Sequence, residues 1–433
     1  MKFLFKVIIV FFIVFSFRLP IVYSSVVLSM LLSAIYYLNK KGRIPFTYFF
    51  QRYTAIVLIA TVSLAFIIFL ITVLHNTDVF TGTQKRIWIQ LMMLAALIFA
   101  LPLLIEGKES SAFEEVAVII CYAYAIQGLI FLAGYLYAPF GDYLFNLKPE
   151  DIRAKIDEAN IDRFRLYCLS GIVFVELSAA FGIALALIFW LQLKSNHPYI
   201  SGWRLYVVFF FIFLGTSFAG RTGFIGLLFG LGIWLIVYRD LIFMFFKRNF
   251  GYIVAVFFVL LVLYGFVLKP GQRQKFSDEI FPFAFEWYYN FRDYGKFEVK
   301  SATAIEDHYF YLYDETLLKG NGQYGDDKFG YSSTDAGYMN ILMFGGIPYL
   351  IILSIYQSLY FIRPIALTKK NSFNKNDWVD AAFFIALFAY MFIVNIKTIA
   401  LGSLHVMEVL YIAVGSTYVI QYYVQKEQNE MTE

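Results

Sequence analysis

The stretch "STDAGYMNILMFGGIP" (333–348) lies where a long polar segment gives way to an apolar run. Small polar residues come first, then a Gly-Tyr pair, then an apolar stretch broken by two adjacent glycines. This order marks a helix start at a boundary between water and an apolar medium. The medium follows from composition. Of the 433 residues, 60% are hydrophobic, 21% aromatic and only 15% charged. Soluble domains carry about 25% charged residues. Packing within a soluble protein could not hide this much apolar surface, so the chain is expected to use lipid as its solvent.

Working outward, runs of roughly 18 to 25 apolar residues qualify as spanning helices. About twelve occur, near 3–17, 21–38, 53–74, 88–105, 113–138, 166–193, 204–218, 222–238, 250–268, 336–362, 379–396 and 401–423. Backbone groups in lipid must pair internally, so these read as helices. The fold class expected is an all-α polytopic membrane protein, a single integral membrane domain over 1–433. The N-terminal "MKFLFKVIIVFFIVFSF" imitates a signal peptide, but the apolar run resumes after Pro20 and no small-residue cleavage site follows. It reads as the first arm of a retained helical hairpin.

Three connections are basic: "NKKGR" (39–43), the segment 238–249 with "FKRN", and "RPIALTKKNSFNKN" (363–376). Helix counting places all three on one side, which the positive-inside rule makes cytoplasmic. Both termini then fall in the cytoplasm. Two long connections lie on the outer side, 139–165 and 269–335. The second mixes both signs of charge with many aromatics and reads as a folded loop. A loop of that length is uncommon without a function.

The net charge of +4 is small and calls for no nucleic-acid partner. Cys121 and Cys168 are too few for a disulfide scaffold or a cysteine metal site. The four His are scattered, and Asp326 and Asp327 alone make no metal site, so neither metal nor cofactor is expected.

Candidate functional residues concentrate on the outer side. Arg221 sits in "GTSFAGRTGFIGLLFG" (215–230), in a short outward turn between two helices. It is either a snorkelling turn arginine or an anion clamp, since guanidinium offers a planar fork to phosphate oxygens. Lys397, at the outer end of the penultimate helix, divides the same way. Arg18, in the turn after the first helix, is a third outward cation. "LLKGNGQYG" (317–325) is not a nucleotide loop, lacking the Lys-Ser/Thr pair. Gly320 and Gly322 there shape a turn that lets a polymer or lipid head group approach the backbone. Asp335 is an N-cap candidate beside Ser333 and Thr334, and a candidate base. His308 is the other candidate base. Within the apolar runs, Glu176, His405 and Glu408 are the ionisable groups a proton-coupled transporter would need.

The outward "GRTG" turn, the large outer loop with "KGNGQYG" and the helix opening "STDAGY…GG" together resemble the Wzy-type O-antigen and capsule polysaccharide polymerases. These are similar to the O-antigen ligases, in which a catalytic His is followed by ten residues and a Gly. Here Asp335 stands in the His position and Gly346 in the Gly position. The substitution argues against a ligase. The resemblance implies a GT-C-type glycosyltransferase of the bacterial inner membrane. Its substrates would be undecaprenyl-pyrophosphate-linked glycans, with a flippase and a chain-length regulator as partners. It implies Arg221 and Lys397 at the leaving pyrophosphate and Asp335, then His308, as base. Arg18, Gly320, Gly322 and Tyr338 would be further substrate contacts. A lipid-linked oligosaccharide flippase or other transporter is the alternative. The lack of internal repeats and the dominant outer loop weigh against it.

Overall fold

The computed structural model describes residues 3–15, 27, 31, 35, 38, 52–77, 83–148, 150, 153, 163–170, 174–194, 197–238, 254, 258, 264–265, 268–296, 309–323, 334, 336–368, 377–398 and 405–431. The helices expected near 21–38 and 250–268, most of the three basic loops, Arg18, His308, Asp326, Asp327 and Asp335 lie outside those residues or are represented only by isolated positions.

The described residues are helical, without strands. The long helices are α1 (Phe3–Phe15), α2 (Arg52–Leu74), α3 (Thr83–Ile105), α4 (Ala112–Leu136), α6 (Phe174–Lys194), α7 (Trp203–Ala219), α8 (Gly223–Tyr238), α13 (Gly337–Thr368), α14 (Asp377–Val394) and α15 (His405–Glu430). Short helices fill the connections: α5 (Ala138–Asn146), α9 (Pro270–Lys275), α10 (Phe281–Ala284), α11 (Glu286–Tyr294) and α12 (Asp314–Lys319). Among the described residues, five helices are long and apolar enough to cross a membrane. Four shorter apolar helices, α1, α7, α8 and α14, accompany them. The molecule is therefore a helical membrane protein.

Burial separates the helices by role. On α6 nearly every residue from Leu177 to Leu191 is buried. α2 instead turns Ile59, Phe66 and Leu74 outward, with 66%, 60% and 80% exposure. A helix apolar on all sides yet half exposed is a lipid-facing helix. Small residues let the inner helices touch. A methyl group at Gly226 of α8 would run into the Gly182 carbonyl of α6, so the two backbones meet directly.

Side-chain bonds show which helix ends share a level. At one end Ser170 Oγ donates to Phe15 O (3.3 Å) and Ser178 Oγ to Gly220 O (2.5 Å), while Tyr390 OH donates to Ala179 O (2.9 Å). At the other, Lys6 Nζ donates to Leu104 O (2.5 Å) and Glu115 Oε1 (3.1 Å), and His197 bonds Glu115 Oε2 (3.0 Å). There too Lys194 pairs with Asp380 at 3.2 Å. The long helices thus run between two ends of the bundle, an Arg221 end and a Lys6 end.

One expectation needs correction. The run 336–362 is not one straight helix. α13 breaks at Gly345 (φ −142°, ψ 16°) and Gly346 (φ 67°, ψ −169°), because the adjacent glycines admit a turn that side chains would resist. Within the expected outer loop 269–335, residues 270–294 are a chain of helical turns and 314–319 another helix.

Candidate active site at the Arg221 end

The turn 220–222 joins α7 to α8. Ser178 pins it from α6, its Oγ donating to Gly220 O and accepting from the Gly223 N–H (2.9 Å). Arg221 projects from this turn and is ion-paired with Glu286, the first residue of α11. Its guanidinium lies over Phe283, 5.2 Å from the ring centre. Burial lowers its pKa from the ordinary arginine value.

Sequence reasoning missed the neighbours that define this site. Arg165 also lies over Phe283, at 4.9 Å, and over Phe174 at 5.0 Å. Its Nη2 donates to Ala219 O (3.3 Å), immediately before the Arg221 turn. Two guanidinium groups thus share one aromatic ring. Neither Arg165 nor Glu286 carries a sequence signal of pairing, since each is more than fifty residues from Arg221. Beside Glu286, Phe281, Phe285, Tyr288 and Tyr289 line an open aromatic cavity of about 310 Å³.

The other predicted residues fall on a second side of the same end. Lys397 sits half-buried in the turn 395–398 after α14. Tyr309 OH donates to Ile396 O in that turn (3.0 Å), and burial raises the Tyr309 pKa. The start of α13 packs on the same turn: any side chain at Gly337 would strike Thr398 O. Lys397 is therefore brought next to the opening of the "STDAGY" helix. Thr334 acts in capping fashion there, its Oγ1 accepting from the Ala336 N–H (3.0 Å). Tyr338 OH is occupied, donating to Phe392 O (2.9 Å).

The "KGNGQYG" glycines approach a backbone, as their spacing suggests, but the backbone is the protein's own. The kink at Gly345–Gly346 frees carbonyls of α13. Asn321 N–H donates to Met343 O (2.6 Å) and Gly322 N–H to Phe344 O (3.0 Å). The Gly320 N–H donates to Thr316 O (2.8 Å), ending α12. The Asn321 and Gly322 N–H groups are thus used in docking the loop onto α13, and that of Gly320 in closing α12.

The three ionisable residues of the apolar runs are not equivalent. Glu176 lies in the first turn of α6 at the Arg221 end, half-buried rather than deep in the bundle. Glu408 is 1% exposed on α15 and accepts from Gln357 Nε2 of α13. Next to Gln357, Tyr356 OH accepts from Gln90 Nε2 (2.8 Å) and bonds Thr61 Oγ1 (2.9 Å), linking α13 to α3 and α2. His405 begins α15. Cys121 and Cys168 are both buried free thiols.

Chemically, this end offers cations held against aromatic rings beside an aromatic cavity, a setting suited to anionic and ring-bearing ligands. No protein-family model, curated protein or solved structure matches this chain.

Proposed function

We propose that this protein is a polysaccharide polymerase of the bacterial inner membrane, joining undecaprenyl-pyrophosphate-linked repeat units into O-antigen or capsular glycan. The observation that carries the reading is the Arg221–Arg165 pair about Phe283, at one end of a membrane-embedded bundle. A lipid pyrophosphate is an anion that must be met at such an end. We take twelve spans, a GT-C-like arrangement, and both termini in the cytoplasm, so that the Arg221 end faces outward.

In this reading a hydroxyl of the acceptor repeat unit attacks the anomeric carbon of the lipid-linked donor glycan. The new C–O bond forms as the bond to pyrophosphate breaks. The leaving lipid pyrophosphate takes the electron pair, and Arg221 stabilises its growing charge, with Lys397 as a second contact. Asp335 accepts the hydroxyl proton, or His308 in its place. The aromatic cavity stacks a sugar ring. Arg18 and Tyr338 complete the proposed contacts; Tyr338 does so by its ring edge, its hydroxyl being occupied. A flippase supplies the repeat units, and a chain-length regulator sets when synthesis stops.

Gene deletion in the host tests this directly. Surface glycan capped at a single repeat unit is expected. Loss of all surface glycan, with repeat units trapped inside, would point instead to the second reading, a lipid-linked oligosaccharide flippase. The observation favouring that reading is Glu408, a carboxyl buried among helices.

A further inference from the structure

Arg221 already has an anion. Glu286 faces it from α11, and the two side chains are 22% and 12% exposed, so the pair is largely shielded from water without being sealed. Arg165 approaches the same Phe283 ring from the neighbouring segment, 4.9 Å from its centre. The cluster therefore has two guanidinium groups and, at Arg221, a carboxylate supplied by the protein itself.

We propose that Glu286 is a tethered occupant of the Arg221 anion site, which only a multiply charged phosphate ligand, a pyrophosphate or its ester, displaces. This rests on Arg221 being the phosphate clamp. The basis is competition. A carboxylate held on the same chain competes as an intramolecular ligand, present at the site whatever the solution concentration of anions. A singly charged oxyanion offers Arg221 no more than Glu286 already does. A pyrophosphate presents several oxygens and at least two charges, enough to engage Arg221 and Arg165 together through their planar forks. Glu286 thereby sets a charge threshold: neutral sugars and simple carboxylates do not open the site. It lowers the affinity of every anion by the same factor, so that only those able to engage both guanidinium groups still occupy the site, and it need not touch the reacting atoms.

The test uses the full chain purified in detergent, with inorganic pyrophosphate and inorganic phosphate as probes in isothermal titration calorimetry. Glu286→Gln is expected to tighten both anions by a common factor of about ten or more, because the same competitor is removed from both. Asp293→Asn, on the same helix but exposed and paired with Arg292, is expected to leave both affinities within about twofold. Unchanged or weaker binding in Glu286→Gln overturns the proposal, as does an equal gain in Asp293→Asn, which would make the effect one of net charge. If Glu286→Gln does not yield folded protein, Glu286→Asp decides, its shorter arm loosening the pair. A smaller tightening is then expected, and unchanged or weaker binding overturns the idea. Loss of pyrophosphate binding in Arg221→Gln, with no change in Glu286→Gln, removes the tethered occupant and leaves the clamp standing. Wild-type pyrophosphate binding in Arg221→Gln removes the clamp itself.

Discussion

At the residue scale, Arg221 and Asp335 carry the sharpest expectations. Arg221 is held by the Ser178 bridge and the Phe283 ring, so shortening it leaves the turn's backbone contacts in place. Arg221→Ala is therefore expected to be made and inserted normally while polymerisation falls by about a hundredfold or more, the usual cost of losing one charge-stabilising group. Normal glycan chain length in that variant would remove the clamp. Asp335→Asn separates two roles, because Asn caps a helix as well as Asp but cannot accept a proton. A loss of polymerisation at unchanged protein level is expected. Full activity would leave Asp335 as a cap alone, and Thr334 already shows capping chemistry one residue earlier.

At the element scale, the kink of α13 and the glycine loop form one unit. Gly346 has φ +67°, and a Cβ there would lie 2.7 Å from Leu317 O. Gly346→Ala is expected to cost roughly 2–3 kcal/mol, combining the left-handed backbone penalty with the collision. Thermal unfolding in detergent checks this against Gly232→Ala, where nothing lies within 4 Å and no loss is expected. Similar melting of the two variants would show that the docking contributes little. Lys148 offers a second case. It is buried, donating to Cys168 O (2.8 Å) and Ser170 O (2.5 Å), which ties the end of α5 to the segment before α6. Lys148→Met removes two charge-assisted hydrogen bonds and is expected to cost about 3 kcal/mol. An unshifted melting temperature would contradict it.

At the scale of the whole molecule, the expectation is one of sides. Tyr311 at the Arg221 end and Lys426 near the far end of α15 are both well exposed, whereas the native thiols Cys121 and Cys168 are buried. Single cysteines at these two positions therefore report orientation with little background. In intact cells stripped of their outer membrane, Tyr311→Cys is expected to react with an impermeant maleimide, and Lys426→Cys only after permeabilisation. The reverse pattern would invert the topology and place Arg221 in the cytoplasm, away from any extracytoplasmic polymer.

What the sequence determined by itself is what depends on local chemistry. Apolar run length dictates helices in lipid whatever their neighbours, so α2, α3, α4 and α13 were legible near their observed bounds, and α6 at its C-terminal end. Arg221 was visible as a cation in a tight turn, whereas the break at Gly345–Gly346 within the run 336–362 was not. What only tertiary structure decided is every partnership between distant segments. Glu286 and Arg165 meet Arg221 because α11 and the segment before α6 fold over the same turn. Asn321 and Gly322 dock on α13 because its kink leaves carbonyls to be satisfied. The physical reason is the same in each case. An apolar run specifies its solvent residue by residue, but a polar group specifies only that it needs a partner, and which partner it finds is fixed by packing.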